Sequence, residues 1–197
     1  MPNEKPAAHG ADARAWVMAA VEEYEQRLVR FAARLLRDQD AARDAVQHAF
    51  LQLCRQRPEE IDGHLGQWLF RTTRNRAVDL LRKQGRQPIS ADGLANGELL
   101  DQLFSGDCDP AEFAAEEELG RIVLDVVDHL PDAQRESVLL WAEGWTSKEI
   151  AKITTRAPAT VRVHLHKAFK TLREHPMVIR LNHDETAKIS SHQEKSM

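Results

Sequence analysis

A chain of 197 residues, 42% hydrophobic and 29% charged, with a net charge of −4, has apolar material for one large or two small cores and too much for a wholly disordered polymer. No apolar run approaches the roughly 18 to 20 residues of a membrane span, and the start, MPNEKPAAHGADARAW, lacks the basic and then apolar order of a secretion signal, so no membrane insertion and a cytoplasmic location are expected. Cys54 and Cys108 are the only cysteines, which excludes a disulfide framework or a cysteine zinc site within one chain and leaves two reduced thiols.

Residues 1–15 are expected as a disordered N-terminus. Val17, Val21, Tyr24, Leu28, Phe31 and Leu35 then recur at alternating steps of four and three, the stripe of one buried helix face. A second stripe, Ala42, Ala45, Val46, Ala49, Phe50 and Leu53, follows Asp38 and Asp40, either of which suits a helix cap. Pro58 and Gly63 interrupt, and the segment Pro58 to Gln67 reads as a loop. A third helix is expected from about Trp68 to Gln84, with Leu69, Thr73, Ala77, Leu80 and Leu81 turned inward. These three helices form a first domain, residues 16–87.

From residue 88 to 115 the pattern decays into Gly, Asp and Ser around one short apolar cluster, which reads as a linker. Charge segregates with this division. Residues 1–88 carry 15 basic against 12 acidic side chains, residues 89–144 carry 2 against 14, and residues 145–197 carry 10 against 5. Periodicity returns with Leu119, Ile122, Val123, Val126 and Leu130, then Val138, Leu139 and Ala142, then two short helices up to Leu172. A second domain is expected at 116–175, and the polar tail at 176–197 reads as disordered, with a regulatory contact as the alternative. Nothing alternates like a strand over a useful length. The expected fold is all-α: two small helical domains joined by an acidic linker, the second with a helix-turn-helix.

That motif lies in EGWTSKEIAKITTRAPATVRVHLHKAFKTLRE. Ile150, Ala151 and Ile153 give one short apolar face, and Val161, Leu165, Ala168 and Leu172 another. Thr146 and Glu149 stand in capping-box spacing, and Pro158 suits a first helical turn, where a missing N–H costs least. Ala157, at the expected cap, forgoes a side-chain bond worth roughly 1 kcal/mol. The second helix offers Thr160, Arg162, Val163, His166, Lys167 and Lys170, a basic face able to enter a major groove. The alternative is a helical hairpin with a solvated basic face. His164 and His166 are two apart, which on a helix sends them to different faces, unlike the i, i+4 pair of a zinc helix.

The third helix carries Trp68, Arg71, Asn75, Asp79 and Arg82 at steps of three or four, opposite its buried stripe. A stacking ring, an amide and cations are what a protein needs to hold unpaired bases. Equally, Trp68 belongs to the core and the arginines are merely solvated. No nucleophile with a paired base, metal cluster or phosphate-binding glycine loop is visible, so neither an enzyme nor a cofactor is expected.

In combination these features resemble the extracytoplasmic-function σ factors, group IV of the σ70 family of bacterial RNA polymerase. The family's DxxQExF pattern is similar to Asp44, Gln47, His48 and Phe50, and its WLxxIxxNxxxDxxR pattern to Trp68, Leu69, Asn75, Asp79 and Arg82. Its LPxxxR pattern is similar to Leu130, Pro131 and Arg135. Its EIA…TVRxxLxxAxxxLR pattern is similar to Glu149, Ile150, Ala151, Thr160, Val161, Arg162, Leu165, Ala168, Leu172 and Arg173. The resemblance covers most of residues 20 to 174. It departs at His48, usually acidic, at Ala159, commonly Gly, and at Val163, often Ser; the first bears on polymerase binding and the others on the promoter.

The resemblance implies that the first domain is region 2, which docks on the β′ clamp helices of core polymerase and opens the −10 element, and that the second is region 4, which reads −35 DNA and meets the β flap. Core binding is expected at Asp44, Gln47, His48 and Gln52. The −10 contacts are expected at Trp68, Arg71, Asn75, Asp79 and Arg82, with the loop before them cradling a flipped base; Asp79 sets base choice or only balances local charge. The −35 contacts fall to Thr160, Arg162, Val163, His166, Lys167 and Lys170. The acidic linker runs along the channel that later holds RNA, or is simply solvated. An anti-σ factor is the expected further partner, and polymerase supplies the catalysis. The rival reading is an autonomous helix-turn-helix regulator that binds promoters without polymerase.

Overall fold

The computed structural model describes residues 7–83, 117–176 and 178–179, and every element among them is a helix. In chain order these are α1 (Ala7–Leu36), α2 (Gln39–Leu53), the short α3 (Pro58–Ile61), a 3₁₀ turn (Asp62–His64), α4 (Leu65–Lys83), α5 (Glu117–His129), α6 (Asp132–Ala142), α7 (Ser147–Thr154) and α8 (Pro158–Glu174). The acidic linker expected at 88–115 and residues 180–197 of the tail lie outside the described residues. The described helices divide into two units, one built on α1–α4 with residues 148–156, the other on α5, α6 and α8.

In the first unit the periodic stripes become the core. Leu28, Phe31 and Leu35 of α1, Ala42, Ala45, Val46, Ala49 and Leu53 of α2, and Leu69, Ala77 and Leu81 of α4 are all buried. The small residues of α2 let its backbone approach α1 and α4, while bulk comes from aromatics. Phe31 meets Phe70 with ring centroids 5.5 Å apart and planes tilted by 54°, a favourable arrangement, and each ring adds about 1.5 to 3 kcal/mol by leaving water. Arg27 lies 5.7 Å from the ring centroids of both Tyr24 and Phe70, so its charge rests on aromatic faces that join α1 to α4. Burial, then the hydrogen bond and charge of Glu23, push the Tyr24 phenol upward in pKa, with Arg27 opposing.

Three sequence expectations need correction here. The segment 7–15, expected as disordered, is helical, because α1 starts at Ala7 and its early Ala residues favour a helix. The expected loop from Pro58 to Gln67 is α3, the 3₁₀ turn and the first turn of α4; Pro58 opens α3, where it needs no N–H partner, and Ile61 anchors the segment in the core. The third helix starts at Leu65 rather than Trp68. Of the two possible caps for α2, Asp38 is used: its Oδ1 accepts from the N–H groups of Asp40 and Ala41, both at 3.0 Å.

In the second unit, Val126, Val127 and Leu130 are buried with Ala133, Val138 and Leu140 of α6 and with Val161, Leu165, Ala168 and Leu172 of α8. Trp141 and Phe169 meet edge to face at 4.9 Å, which locks α6 to α8. Arg135 organises the α5–α6 junction: Nη2 donates to Asp132 Oδ1 at 2.7 Å and Nη1 to the Asp128 carbonyl at 3.4 Å. Its side chain is only 5% exposed. A cation placed on the last carbonyls of α5 is favoured by the helix dipole. Past His175 the chain turns again, with Ile179 N–H donating to the His175 carbonyl at 3.0 Å and Val178 buried.

Candidate polymerase and nucleic-acid interfaces

Two faces of the first unit collect the residues singled out in the sequence. On α2, Asp44 and Gln47 are exposed, while His48 and Gln52 are half-buried. Leu51 stands on the same face and is 55% exposed, a large apolar side chain on a polar helix face. Asp44 is engaged across helices: Arg76 of α4 donates from Nη2 at 2.8 Å and from Nε at 3.2 Å, both to Oδ2. Leu51 and Arg76 escaped the sequence reading. Leu51 had a legible signal, since it lies four residues after Gln47 and outside the apolar stripe, whereas the partner of Arg76 is 32 residues away and only the fold brings it close.

On α4, Arg71, Asn75, Asp79 and Arg82 are exposed along one line and Trp68 is half-buried at its start. Trp68 is thus neither fully in the core nor fully displayed. Thr72 ties its hydroxyl to the Trp68 carbonyl at 2.8 Å, and Arg82 lies 3.4 Å from Asp79 in an i, i+3 pair with both side chains more than half exposed. Such a pair is worth little and opens readily for another ligand. Arg71 makes no ion pair among the described residues, so this face combines a ring edge, an amide and at least one unpaired cation.

The turn between α7 and α8 is three residues long, with Thr155 at φ 56° and the Arg156 N–H donating to the Ala151 carbonyl at 3.0 Å. This left-handed closure is the reverse-turn geometry that ends many helices, with a β-branched residue where glycine fits best. Pro158 then opens α8 after Ala157, which makes no side-chain cap bond. On α8, His166, Lys167 and Lys170 are exposed, while Thr160 and Arg162 are half-buried. Lys170 lies 3.9 Å from Glu174, in a loose pair exposed on both sides. Val163 departs from expectation: it is 8% exposed, although it stands outside the line of Val161, Leu165, Ala168 and Leu172. The apolar cover on α8 is wider than one 3.6-residue stripe, so Val163 is not presented to a thymine methyl in this conformation. His164 is buried and His166 exposed, so the two rings part as their spacing requires.

Comparison with known proteins decides what these surfaces belong to. Residues 20–87 match the family model of σ70 region 2, and residues 120–172 match that of σ70 region 4. The RNA polymerase sigma factor CarQ of Myxococcus xanthus is 31% identical over 75% of this chain and 82% of its own length. The chain belongs to the σ70 family, in its extracytoplasmic-function group. The ECF RNA polymerase sigma factor SigE of Mycolicibacterium smegmatis is 30% identical over 79% of this chain, which spans 59% of that relative. The σ factor RpoE of Bartonella quintana, crystallised with the anti-sigma factor NepR, shares the fold with a TM-score of 0.54 at 23% identity, over 85% of this chain and 96% of that one. In σ-factor terms, α2 and α4 fall within region 2, and α7 and α8 within region 4. Among the described residues no helix is long and apolar enough to cross a membrane.

Proposed function

We propose that this chain binds core RNA polymerase and directs it to promoters, with residues 16–87 opening the −10 element and residues 116–175 reading −35 DNA. The observation that carries this reading is the succession of a region 2 match and a region 4 match in one chain, each containing a helix with a cationic exposed face. Asp44, Gln47, His48 and Gln52 present the docking face to the β′ clamp helices, with Leu51 as its apolar centre, and the second domain meets the β flap. Trp68, Arg71, Asn75, Asp79 and Arg82 receive the opened −10 strand, since a stacking surface beside hydrogen-bonding and cationic groups suits unpaired bases. Thr160, Arg162, His166, Lys167 and Lys170 serve −35 recognition and phosphate contact.

In this reading the factor works in the cytoplasm, needs no cofactor and performs no catalytic step, since polymerase makes the phosphodiester bonds. An anti-σ factor is the proposed regulator, a reading supported by the likeness in fold to a σ factor crystallised with one. Run-off transcription on a promoter library tests the proposal. Promoter-specific transcripts that need both core enzyme and this chain are expected. Tight binding of the free chain to duplex promoters, without any transcript, would instead mark an autonomous regulator.

A further inference from the structure

We propose that Arg76 is a positioning residue for polymerase docking: it holds the carboxylate of Asp44 in the orientation that core enzyme meets. This rests on the reading of the α2 face as the polymerase contact. The guanidinium fork places Nε and Nη2 at 3.2 and 2.8 Å from one oxygen, Oδ2, of Asp44. Oδ1 makes no hydrogen bond among the described residues and remains for a partner's donor. Arg76 is the more sheltered member, at 27% side-chain exposure against 52% for Asp44, so the carboxylate is the more displayed of the two.

A planar fork with two donors on one acceptor fixes direction in a way that a lysine point charge does not. Asp44 shares its face with exposed Gln47 and Leu51. A carboxylate already held there needs little ordering on association, which lowers the dissociation constant without any contact between Arg76 and polymerase. The opposite possibility is that Arg76 masks Asp44 and competes with polymerase for it, in which case its removal tightens binding. The two differ in sign.

The test titrates full-length chain, labelled for fluorescence anisotropy, with core polymerase. The variants are Asp44→Asn, Arg76→Ala, Arg76→Lys and the double variant Asp44→Asn with Arg76→Ala. Exposed ion pairs couple weakly, so Arg76→Ala is expected to weaken binding about threefold to fivefold. Arg76→Lys should recover part of the loss, and the double variant should bind no worse than Asp44→Asn alone, because Arg76 acts only through Asp44. Thermal melting of each variant keeps a folding defect apart from a docking defect, and Arg76→Gln, which keeps the aliphatic stem, replaces Arg76→Ala if the latter melts early. Unchanged or tighter binding by Arg76→Ala, with Asp44→Asn still weakened, overturns the positioning role and leaves the docking face standing. Wild-type binding by Asp44→Asn overturns both.

Discussion

Arg76 of α4 grips Asp44 of α2 through a single carboxylate oxygen, at 2.8 and 3.2 Å, and so joins the helix that displays the proposed polymerase contact to the helix that displays the proposed −10 contact. Asn75, the neighbour of Arg76, is exposed on that second helix. The pair is half-exposed and contributes at most about 1 kcal/mol to stability. Its proposed role is positional, in holding the Asp44 carboxylate on the face of α2.

Replacing Asp44 by Arg together with Gln47 by Ala should therefore leave the fold within about 1 kcal/mol of wild type, since both residues are exposed and neither belongs to the core. Affinity for core polymerase should fall by about tenfold or more, because an opposite charge then meets the partner surface. Pull-down of core enzyme at the wild-type level by this double variant would remove α2 from the docking face.

Asn75→Ala removes an exposed amide and should give normal holoenzyme with impaired strand opening. Permanganate footprinting at the −10 element reads this directly, through the reactivity of unpaired thymines. Opening equal to wild type would leave the amide without a role in base capture.

Arg162 and Lys167 should separate by task. An arginine bidentate to guanine discriminates by roughly 1 to 3 kcal/mol, whereas a lysine on phosphate adds affinity that falls with salt. Arg162→Ala in holoenzyme is expected to relax selection at one or two −35 positions. Lys167→Ala should weaken binding across sequences with a shallower salt dependence. A library selected with the Arg162→Ala protein that returned the wild-type −35 preference would show that this arginine does not read bases.

The α7–α8 turn sets a near-neutral change beside a stabilising one. Thr155 adopts φ 56°, a conformation that is costly for a β-branched side chain and easy for glycine, but Thr155→Gly also frees the unfolded chain and loses the hydroxyl bond to the Thr154 carbonyl, so the relief of about 1 kcal/mol should be largely cancelled and stability should stay within about 0.5 kcal/mol of wild type. Ala157 caps α8 through its backbone alone, and Ala157→Ser should add about 0.5 to 1 kcal/mol through a side-chain bond to a free N–H of the first turn. Urea unfolding followed by circular dichroism measures both, and a midpoint below wild type for Ala157→Ser would mean that the serine does not cap α8.

In the core, Phe70→Ala should cost about 3 to 5 kcal/mol, because Phe70 is fully buried, packs on Phe31 at 5.5 Å and carries Arg27 on its face. The same denaturant titration checks it. A loss below about 1 kcal/mol would mean that α1 and α4 close over the gap.

Much of this architecture is local in origin and was therefore readable in one dimension. Leu28, Phe31 and Leu35, the small stripe of α2, and Val161, Leu165, Ala168 and Leu172 are buried where their 3.6-residue period places them, because a helix face repeats along the chain whatever it packs against. Asp38 and Pro158 mark helix starts for the same reason, since a cap acts within one turn. The order of motifs, from Asp44 and Gln47 through Trp68 and Asn75 to Arg162, was enough to indicate the family. What the sequence left open depends on contacts between distant segments. The partner of Asp44 is Arg76, 32 residues on, and no periodicity couples them. Trp68 is half-buried, an outcome that its place on α4 does not decide by itself. Val163 is buried off the stripe of its own helix, and the segment after Pro58 coils into short helices because Ile61 finds a place in the core. Period and capping act through backbone hydrogen bonds a few residues apart, whereas pairing and burial at these positions are decided by which surfaces the folded chain brings within a few ångströms of one another.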